Sequence, residues 1–273
     1  MSVVIGLDIG GSTTKVVGFE GDKLLQFAFV KASDPVAAAY GGIGKFLNIN
    51  HLKLSDIDKI MMTGVGASYI NSDLLEHPTL IAPEFESVGR GGRYISGIDS
   101  AIVVSMGTGT SIVYSDKKGT EHIIGSGVGG GTVLGLANRM INVRDFQLIS
   151  DMSAEGDIGN IDLSIGDISR SEIPGLSSDT TASNFGKVSD SATPQDLALG
   201  IVNMVFQSVG TNAVLCARMK NIRDIVFVGS LTKIEQGRAT LANFSKLYNV
   251  NIRVPNSAEY STAIGAALTG MES

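Results

Sequence analysis

The chain contains very little cysteine and no excess of positive charge, and each shortage excludes a class of protein. Cys216 is the single cysteine among 273 residues, which excludes an internal disulfide framework and a cysteine-clustered metal site. The net charge of −6 and the pI near 5.1 argue against a nucleic-acid partner, because affinity for nucleic-acid phosphates depends on Lys and Arg. The three histidines, His51, His77 and His122, show no metal-ligand spacing.

Targeting and membrane signals are also scarce. The chain begins almost at once with a strand-like run and shows no signal-peptide pattern, so we expect a cytoplasmic protein. Leu197–Ala217 carries no charge and is long enough to span a bilayer, but Asn203 and Gln207 interrupt it. Thr193 and Pro194 look like the cap and first turn of a helix. We interpret this segment as a buried globular helix with no membrane partner, and such a helix can also form a dimer interface.

The pattern of apolar residues and glycines predicts an α/β fold. Short β-branched runs alternate with helical segments, and glycine follows several strand ends. Val3–Phe19 and Ile102–Tyr114 share one layout of strand, Gly/Thr turn and strand, and Leu24–Val30 would add a third antiparallel strand to the first unit. We therefore predict two lobes, residues 1–95 and 96–273, with two hydroxyl-rich turns facing one cleft. The polar stretch Ala154–Ser191 is an ordered excursion, a lid or a partly mobile loop.

The first Gly/Thr turn is the sharpest chemical signal. Phosphate oxygens need several inward-pointing N–H groups, and glycine lets the backbone approach without a Cβ. The candidate phosphate-binding residues are Asp8, Gly10, Gly11, Ser12, Thr13, Thr14 and Lys15. Asp8 could hold Mg²⁺ directly or through water, since hard cations demand oxygen ligands. The alternative is an ordinary tight hairpin that begins with an aspartate.

The chain does not fit two better-known nucleotide-binding motifs, the P-loop and the dinucleotide-binding glycine pattern. No Gly-x-x-x-x-Gly-Lys-[Ser/Thr] loop occurs. Gly125, Gly127 and Gly130 match the dinucleotide pattern, but they lie mid-chain after a hairpin, without the expected acidic residue in a following strand. A glycine run that opens a helix can still bind ATP, because helix N-termini favour anions.

Glu84 and Glu86 are candidate catalytic carboxylates. They follow an apolar run, and a carboxylate near the cleft could accept the proton of an attacking hydroxyl during phosphoryl transfer. The alternative is a solvated surface glutamate. Arg90 and Arg93 are either surface ion-pair partners or substrate contacts.

Taken in order, these motifs resemble the type II pantothenate kinases, within the superfamily of actin-like ATPases and sugar kinases. The motifs are Asp8–Lys15, Glu84–Glu86, Gly107–Ser111, Gly129–Thr132 with Leu134–Leu136, Ser183–Gly186, Val228–Ser230 and Ala263–Ala266, and together they cover nearly the whole chain. The resemblance implies a two-lobed actin-like (ribonuclease H-like) fold with duplicated βββαβ lobes around an ATP cleft. It also implies a homodimer built on the long helix, and phosphorylation of pantothenate by MgATP at the start of coenzyme A biosynthesis.

The resemblance further implies roles for individual residues. Glu84 would be the base, and Asp8–Lys15 and Thr108 would bind the phosphates of ATP. The nucleoside site would be lined by Gly130, Gly131, Thr132, Val133, Leu134 and Ser230, with Phe146 against the adenine or, alternatively, in the core. The acceptor would contact Gly107, Thr110 and His122.

One position departs from the family. His122 stands where the family has an arginine that contributes to pantothenate binding, and histidine lacks the permanent charge and planar donor fork of arginine. A carboxylated acceptor is then expected to bind less well, unless Arg90 or Arg93 compensates. Two alternatives stay open: a related kinase of pantetheine, an amino sugar or another polyol, and a non-enzymatic actin-like ATP switch.

Overall fold

Two mixed β-sheets of matching topology form the framework of the chain. The computed structural model describes residues 2–11, 13–31, 34–171 and 173–271. The strands of the first sheet are β1 Val3–Ile9, β2 Thr13–Glu20, β3 Lys23–Leu24, β4 Ala28–Lys31, β5 Ile57–Thr63 and β6 Thr79–Ile81. They run in the order β3-β2-β1-β5-β6, and β4 also pairs with β2.

The second sheet repeats the pairing of the first. The later strands are β7 Ala101–Met106, β8 Thr110–Asp116, β9 Gly119–Ser126, β10 Leu163–Ser164, β11 Thr181–Ser183, β12 Asp224–Val228 and β13 Asn251–Arg253. Their order is β13-β12-β7-β8-β9, while β10 and β11 form a separate pair. In both sheets the first strand pairs antiparallel with the next strand and parallel with a later one, β5 or β12. The duplication predicted from the sequence is therefore confirmed.

Eight α-helices occur in the described part of the chain, and several begin at the predicted caps. They are α1 Pro35–Asn50, α2 Glu84–Ser96, α3 Gly130–Ile141, α4 Phe146–Ala154, α5 Ile165–Ile168, α6 Pro194–Met219, α7 Glu235–Tyr248 and α8 Ser261–Met271. The Asp34 carboxylate accepts a hydrogen bond from the Ala37 N–H at 2.7 Å, which caps α1. Thr193 and Asp196 form a capping box at the start of α6.

The predicted third strand is broken in the structure. β3 and β4 are separated by three residues around Gln26. The Asn50 side chain, at the end of α1, accepts from the Gln26 N–H at 2.9 Å and donates to its carbonyl at 3.0 Å. Gln26 is thus bound to the helix instead of to β2, so Leu24–Val30 does not form one continuous strand.

Helices α2 and α8 are exchanged between the two sheets. Val88 of α2 packs with Val103 and Val113 of the second sheet. Ala263 and Ala267 of α8, near the end of the chain, pack against the first sheet. A division after residue 95 therefore separates the sheets, but it does not separate the helices that cover them.

The two exchanged helices cross with their backbones in contact. An added Cβ at Gly91 would lie 1.8 Å from the Ser261 carbonyl oxygen, and one at Gly265 would lie 1.8 Å from that of Ser87. No side chain fits at either position, so glycine is required for this approach. The crossing joins the two lobes.

The long helix α6 is a core helix that also anchors the polar excursion. Among the described residues it is the one helix long and apolar enough to span a bilayer, and 61% of that apolar window is buried within the fold. The Asp162 carboxylate of the excursion accepts from the Asn203 side chain at 2.8 Å, and Gln207 donates to the Thr181 hydroxyl at 2.9 Å. The polar residues that interrupt the apolar run therefore bind the excursion.

Candidate active site

The carboxyl ends of β1 and β5 bring Asp8, Lys15 and Thr63 together. Asp8 pairs in register with Lys15 on β2 and with Thr63 on β5, so all three side chains lie on one face of the sheet. The Lys15 ammonium donates to Asp8 Oδ2 at 3.3 Å, and the Lys15 side chain is only 9% exposed. The ion pair places one negative and one positive charge beside the first turn.

Gly64 closes the site behind Asp8. It follows β5 at a positive φ of 88°, and an added Cβ would lie 2.8 Å from Asp8 Oδ1 and 2.6 Å from the Ile9 carbonyl oxygen. Both the backbone conformation and the lack of space require glycine. The structure thus brings a second strand against the aspartate, a contact that the sequence motif alone did not reveal.

Because side chains alternate along strand β2, the residues of the first turn point to opposite faces of the sheet. The Gly10 N–H donates to the Thr13 carbonyl at 2.9 Å, which closes the turn. Ser12, a predicted phosphate ligand, lies outside the described residues. Thr14 is buried on the opposite face from Asp8, where its methyl group faces Gly42 of α1. The structure therefore does not bring the Thr14 hydroxyl into the group formed by Asp8 and Lys15.

The second turn and the start of α3 form one backbone platform. Gly107 and Thr108 are exposed, and their carbonyls accept from the N–H groups of Gly130 and Gly131 at 2.8 Å each. An added Cβ at Gly129 would lie 2.8 Å from the Thr108 carbonyl oxygen. The glycine run is thus needed for contact with the turn, and two of its N–H groups are already used there.

Two threonine hydroxyls hold this platform together. The Thr110 hydroxyl is buried and donates to the Val128 carbonyl at 2.7 Å. The Thr132 hydroxyl accepts from the Gly129 N–H and donates to the Gly127 carbonyl, each at 3.1 Å. Both hydroxyls therefore already have hydrogen-bond partners within the protein.

The predicted nucleoside residues differ in their exposure. Val133 is completely buried in the second lobe, and Leu134 and Phe146 are partly buried against the same core. Ser230 begins a short 3₁₀ turn directly after Gly229. Gly229 has a positive φ of 96°, and an added Cβ would lie 2.5 Å from the Met106 carbonyl oxygen.

Glu84 is the first residue of α2 and faces the aspartate of the first turn. Although the residue as a whole is exposed, burial of its carboxyl group raises the pKa of Glu84, and repulsion from Asp8 raises it further. A helix N-terminus normally favours the charged carboxylate, so these two causes outweigh that effect. A carboxyl group with a raised pKa is therefore placed beside the first turn, and a raised pKa suits a general base that works near neutral pH.

Next to Glu84, the Phe85 ring stacks on His122 of β9. The ring centroids are 4.0 Å apart and the planes differ by 15°. Arg90 forms an ion pair with Glu86 at 2.7 Å on the same helix. The Arg93 guanidinium donates to the Ser115 hydroxyl at 3.1 Å, so it ties α2 to the second sheet.

The oxygen atoms around Asp8 suit a hard cation such as Mg²⁺. The Thr63 residue is only 1% exposed, and its hydroxyl has no hydrogen-bond partner among the described residues. Buried hydroxyls usually have a partner, so an oxygen-coordinated ion or its water fits beside Asp8. The described residues contain no cluster of three His, Cys, Asp or Glu side chains. One carboxylate completed by phosphate oxygens and waters is typical of Mg²⁺ sites.

The first turn also borders a surface cavity. Its volume is about 420 Å³, and its lining residues are Gly10, Gly11, Pro35, Val65, Gly66, Ser68 and Tyr69. This volume lies within the range of small-molecule sites, roughly 300–1,000 Å³.

Comparison with known proteins assigns the family. The family model described as Fumble matches residues 98–268. The chain belongs to the Fumble family. It is 29% identical over 283 residues to a protein named type II pantothenate kinase from Staphylococcus aureus (strain MRSA252), with 97% of this chain and 99% of the relative covered. The resemblance inferred from the sequence motifs is therefore confirmed.

Solved structures show the same fold at low sequence identity. The activator of the 2-hydroxyisocaproyl-CoA dehydratase from Clostridium difficile, with bound ADPNP, has a TM-score of 0.72 at 20% identity, covering 99% of this chain and 94% of that one. The ROK hexokinase from Thermus thermophilus has a TM-score of 0.57 at 14% identity and covers 99% of both chains. The predicted two-lobed actin-like fold is confirmed.

Proposed function

We propose that this protein transfers the γ-phosphoryl group of MgATP to the primary hydroxyl of pantothenate, the first step of coenzyme A biosynthesis. The observation that carries the proposal is Glu84, a carboxyl group with a raised pKa that faces the Asp8–Lys15 pair beside a glycine turn. The similarity to a type II pantothenate kinase over nearly the whole chain supports the choice of acceptor.

In the proposed reaction, Glu84 accepts the proton of the acceptor hydroxyl while that oxygen bonds to the γ-phosphorus. The bond between the γ-phosphorus and the oxygen that bridges it to ADP breaks, and ADP leaves. Lys15 and the N–H groups of the first turn stabilise the charge on the transferred group. Mg²⁺ held by Asp8, directly or through water, would supply further neutralisation of the phosphates when bound.

The second lobe would position the remainder of the nucleotide. Thr108 is exposed on the second turn, and the start of α3, from Gly130 to Leu134, lies directly behind it. Phe146 and Ser230 are both partly exposed, so each has surface with which to border the nucleoside. Gly107, Thr110 and His122 remain the proposed acceptor contacts.

We further propose a cytoplasmic homodimer assembled on α6. Leu215 and Met219 are one helical turn apart on α6 and are exposed, although most of that helix is buried. Two neighbouring apolar side chains on a helix surface fit a contact between copies of the chain.

The direct test is a purified-enzyme assay of ADP production with MgATP and pantothenate. We expect pantothenate-dependent ADP release, and Glu84→Gln should lower kcat by roughly 10²–10⁴-fold, the usual contribution of a general base. ATP affinity, measured separately by titration, should remain close to that of the wild type. Absence of pantothenate-dependent turnover in the wild type would reject this acceptor.

A second candidate is a kinase of a neutral relative of pantothenate, such as pantetheine. The observation in its favour is His122, because an imidazole stacked on Phe85 does not offer the donor fork with which an arginine binds a carboxylate. An acceptor panel of pantothenate, pantetheine, amino sugars and polyols separates the two. If His122 sets the preference, His122→Arg should shift it toward pantothenate.

A non-enzymatic ATP switch makes the opposite predictions. It would assemble in a nucleotide-dependent way, and Glu84→Gln would leave its behaviour unchanged. Light scattering with and without MgATP, measured beside the acceptor panel, distinguishes the ATP-switch hypothesis from the two kinase hypotheses.

A further inference from the structure

Phe85 is an exposed aromatic ring directly after the proposed base. It is 42% exposed in the first turn of α2, yet its face is covered by the imidazole of His122. A centroid distance of 4.0 Å with nearly parallel planes is close contact between the two rings. The contact joins the beginning of α2 to strand β9.

The rest of α2 is attached to the second sheet by other means. An added Cβ at Gly89 would lie 2.4 Å from the Thr120 hydroxyl, and one at Gly92 would lie 2.5 Å from Val103. Arg93 donates to Ser115 on β8. These contacts hold the middle and the end of the helix, and all of them lie more than one turn away from Glu84.

On its other side the first turn of α2 meets α8, where the Ser87 carbonyl lies against Gly265. Pro83 occupies the cap position and supplies no side-chain cap to the described helix. The Ser87 hydroxyl donates back to the Pro83 carbonyl at 2.9 Å, which is a contact within the turn and not with the sheet. The Phe85–His122 stack is therefore the contact that ties this turn to β9.

The position of this turn matters because Glu84 works between two lobes. Its helix is packed on the second sheet, whereas the carboxylate that raises its pKa, Asp8, belongs to the first. Catalytic groups have to be held within about 0.5 Å of their productive geometry, and a displacement of about 1 Å can cost about 100-fold in rate.

We propose that Phe85 is a positioning residue for Glu84, and that its ring contact with His122 holds the first turn of α2 in the reactive arrangement. The inference rests on the proposed kinase function. It assigns His122 a role through its ring face, separate from any contact of its nitrogens with the acceptor.

The experiment compares Phe85→Ala, His122→Ala and His122→Phe in steady-state assays with MgATP and the acceptor that the wild type uses. His122→Phe keeps an aromatic face but removes both ring nitrogens. We expect Phe85→Ala and His122→Ala to lower kcat about 10- to 100-fold, with the KM for ATP within about twofold of the wild type. His122→Phe should have a kcat at saturating acceptor at least about fivefold above that of His122→Ala, since the stack is preserved, whereas its KM for the acceptor should rise because both ring nitrogens are lost.

A double variant and a matched control complete the test. Because one contact is removed by either change, Phe85→Ala with His122→Ala should be no slower than the worse single variant. Tyr40→Ala removes a ring of similar exposure, 41%, from α1 and should leave kcat unchanged. An unchanged KM for ATP also shows that the variants are folded.

Two results would overturn the inference. His122→Phe as slow as His122→Ala would mean that the ring nitrogens, and not the stack, support catalysis. Multiplicative losses in the double variant would mean that the rings act independently. A wild type inactive on every acceptor would instead refute the proposed function, so the two failures are distinguishable.

Discussion

The two glycine turns occupy equivalent places in the two lobes but carry different charges. In the first lobe, Asp8 near the end of β1 pairs across the hairpin with Lys15. At the corresponding place in the second lobe, Ser105 near the end of β7 pairs with Ser111. The parallel neighbours differ as well, because Thr63 lies beside Asp8, whereas Val228 lies beside Ser105.

The glycines that follow the neighbouring parallel strands are equivalent in the two lobes. Gly64 follows β5 and Gly229 follows β12, each at positive φ, and each is packed against the carbonyl of the last residue of the first strand, Ile9 or Met106. The duplication has thus preserved these glycines, whereas the side chains and the turn lengths differ, because Ile9 pairs with Thr14 but Met106 pairs with Thr110. We infer that the first lobe binds the phosphates of the nucleotide, while the second lobe positions the remainder through its backbone.

Removing the charge difference between the two turns should have the largest effect on activity. With Asp8→Ser and Lys15→Ser together, the first lobe acquires the pair of serines that the second lobe has at the equivalent places, and kcat/KM should fall by at least about 100-fold, as when one preorganised electrostatic group is lost. The measurement is the same ADP-release assay over a range of Mg²⁺ concentrations. Ser105→Ala, at the equivalent place in the second lobe, is the control and should cause only a small loss. Equal losses in both would contradict the proposed division of roles.

Substitution of the two equivalent glycines should produce a smaller difference in activity between the two lobes. Gly64→Ala and Gly229→Ala both introduce a Cβ at positive φ and against a carbonyl oxygen, so each should destabilise the fold by about 1–3 kcal/mol. Gly64→Ala also displaces the Asp8 carboxylate and should lower kcat further. Thermal unfolding and kcat measured on both variants test this. The comparison fails if Gly229→Ala costs more activity than Gly64→Ala.

The electrostatic contact between Asp8 and Glu84 should produce a measurable pH shift. Burial and then repulsion from Asp8 raise the pKa of Glu84, so Asp8→Asn removes the second cause and should lower that pKa toward its usual range. Carbon-13 NMR of the Glu84 carboxyl, titrated in both proteins, measures this without any turnover. Asp116→Asn, which removes a carboxylate from β8 in the second lobe, should leave the titration unchanged.

The smallest expected effect is a gain in stability. Because the folded-state pKa of Glu84 lies above its unfolded value, ionisation of this group costs stability as the pH rises through that interval. Glu84→Gln should therefore raise the melting temperature slightly at neutral pH and leave it unchanged at acid pH, where Glu84 is protonated in both states. A lower melting temperature at neutral pH would show that the carboxylate is stabilised in the fold.

The turns and helix caps can be predicted from the sequence because each depends on a few neighbouring residues. The Gly/Thr turns, the Asp34 cap of α1 and the start of α6 at Thr193 were each predicted from a few adjacent residues. The break between β3 and β4 was not, because it depends on a hydrogen bond from Asn50, which is 24 residues away from Gln26.

The amino-acid sequence by itself determined the family, the duplicated α/β plan and the candidate turn and base residues, since these are patterns of local propensity and order. Tertiary structure alone decided which of those residues meet. The alternation of β2 turned Thr14 toward α1 and Lys15 toward Asp8, and the exchange of α2 and α8 placed Glu84 between the lobes. The sequence supplies the charges of the first turn, but only strand pairing brings Thr63, far away in the chain, beside Asp8 and Lys15.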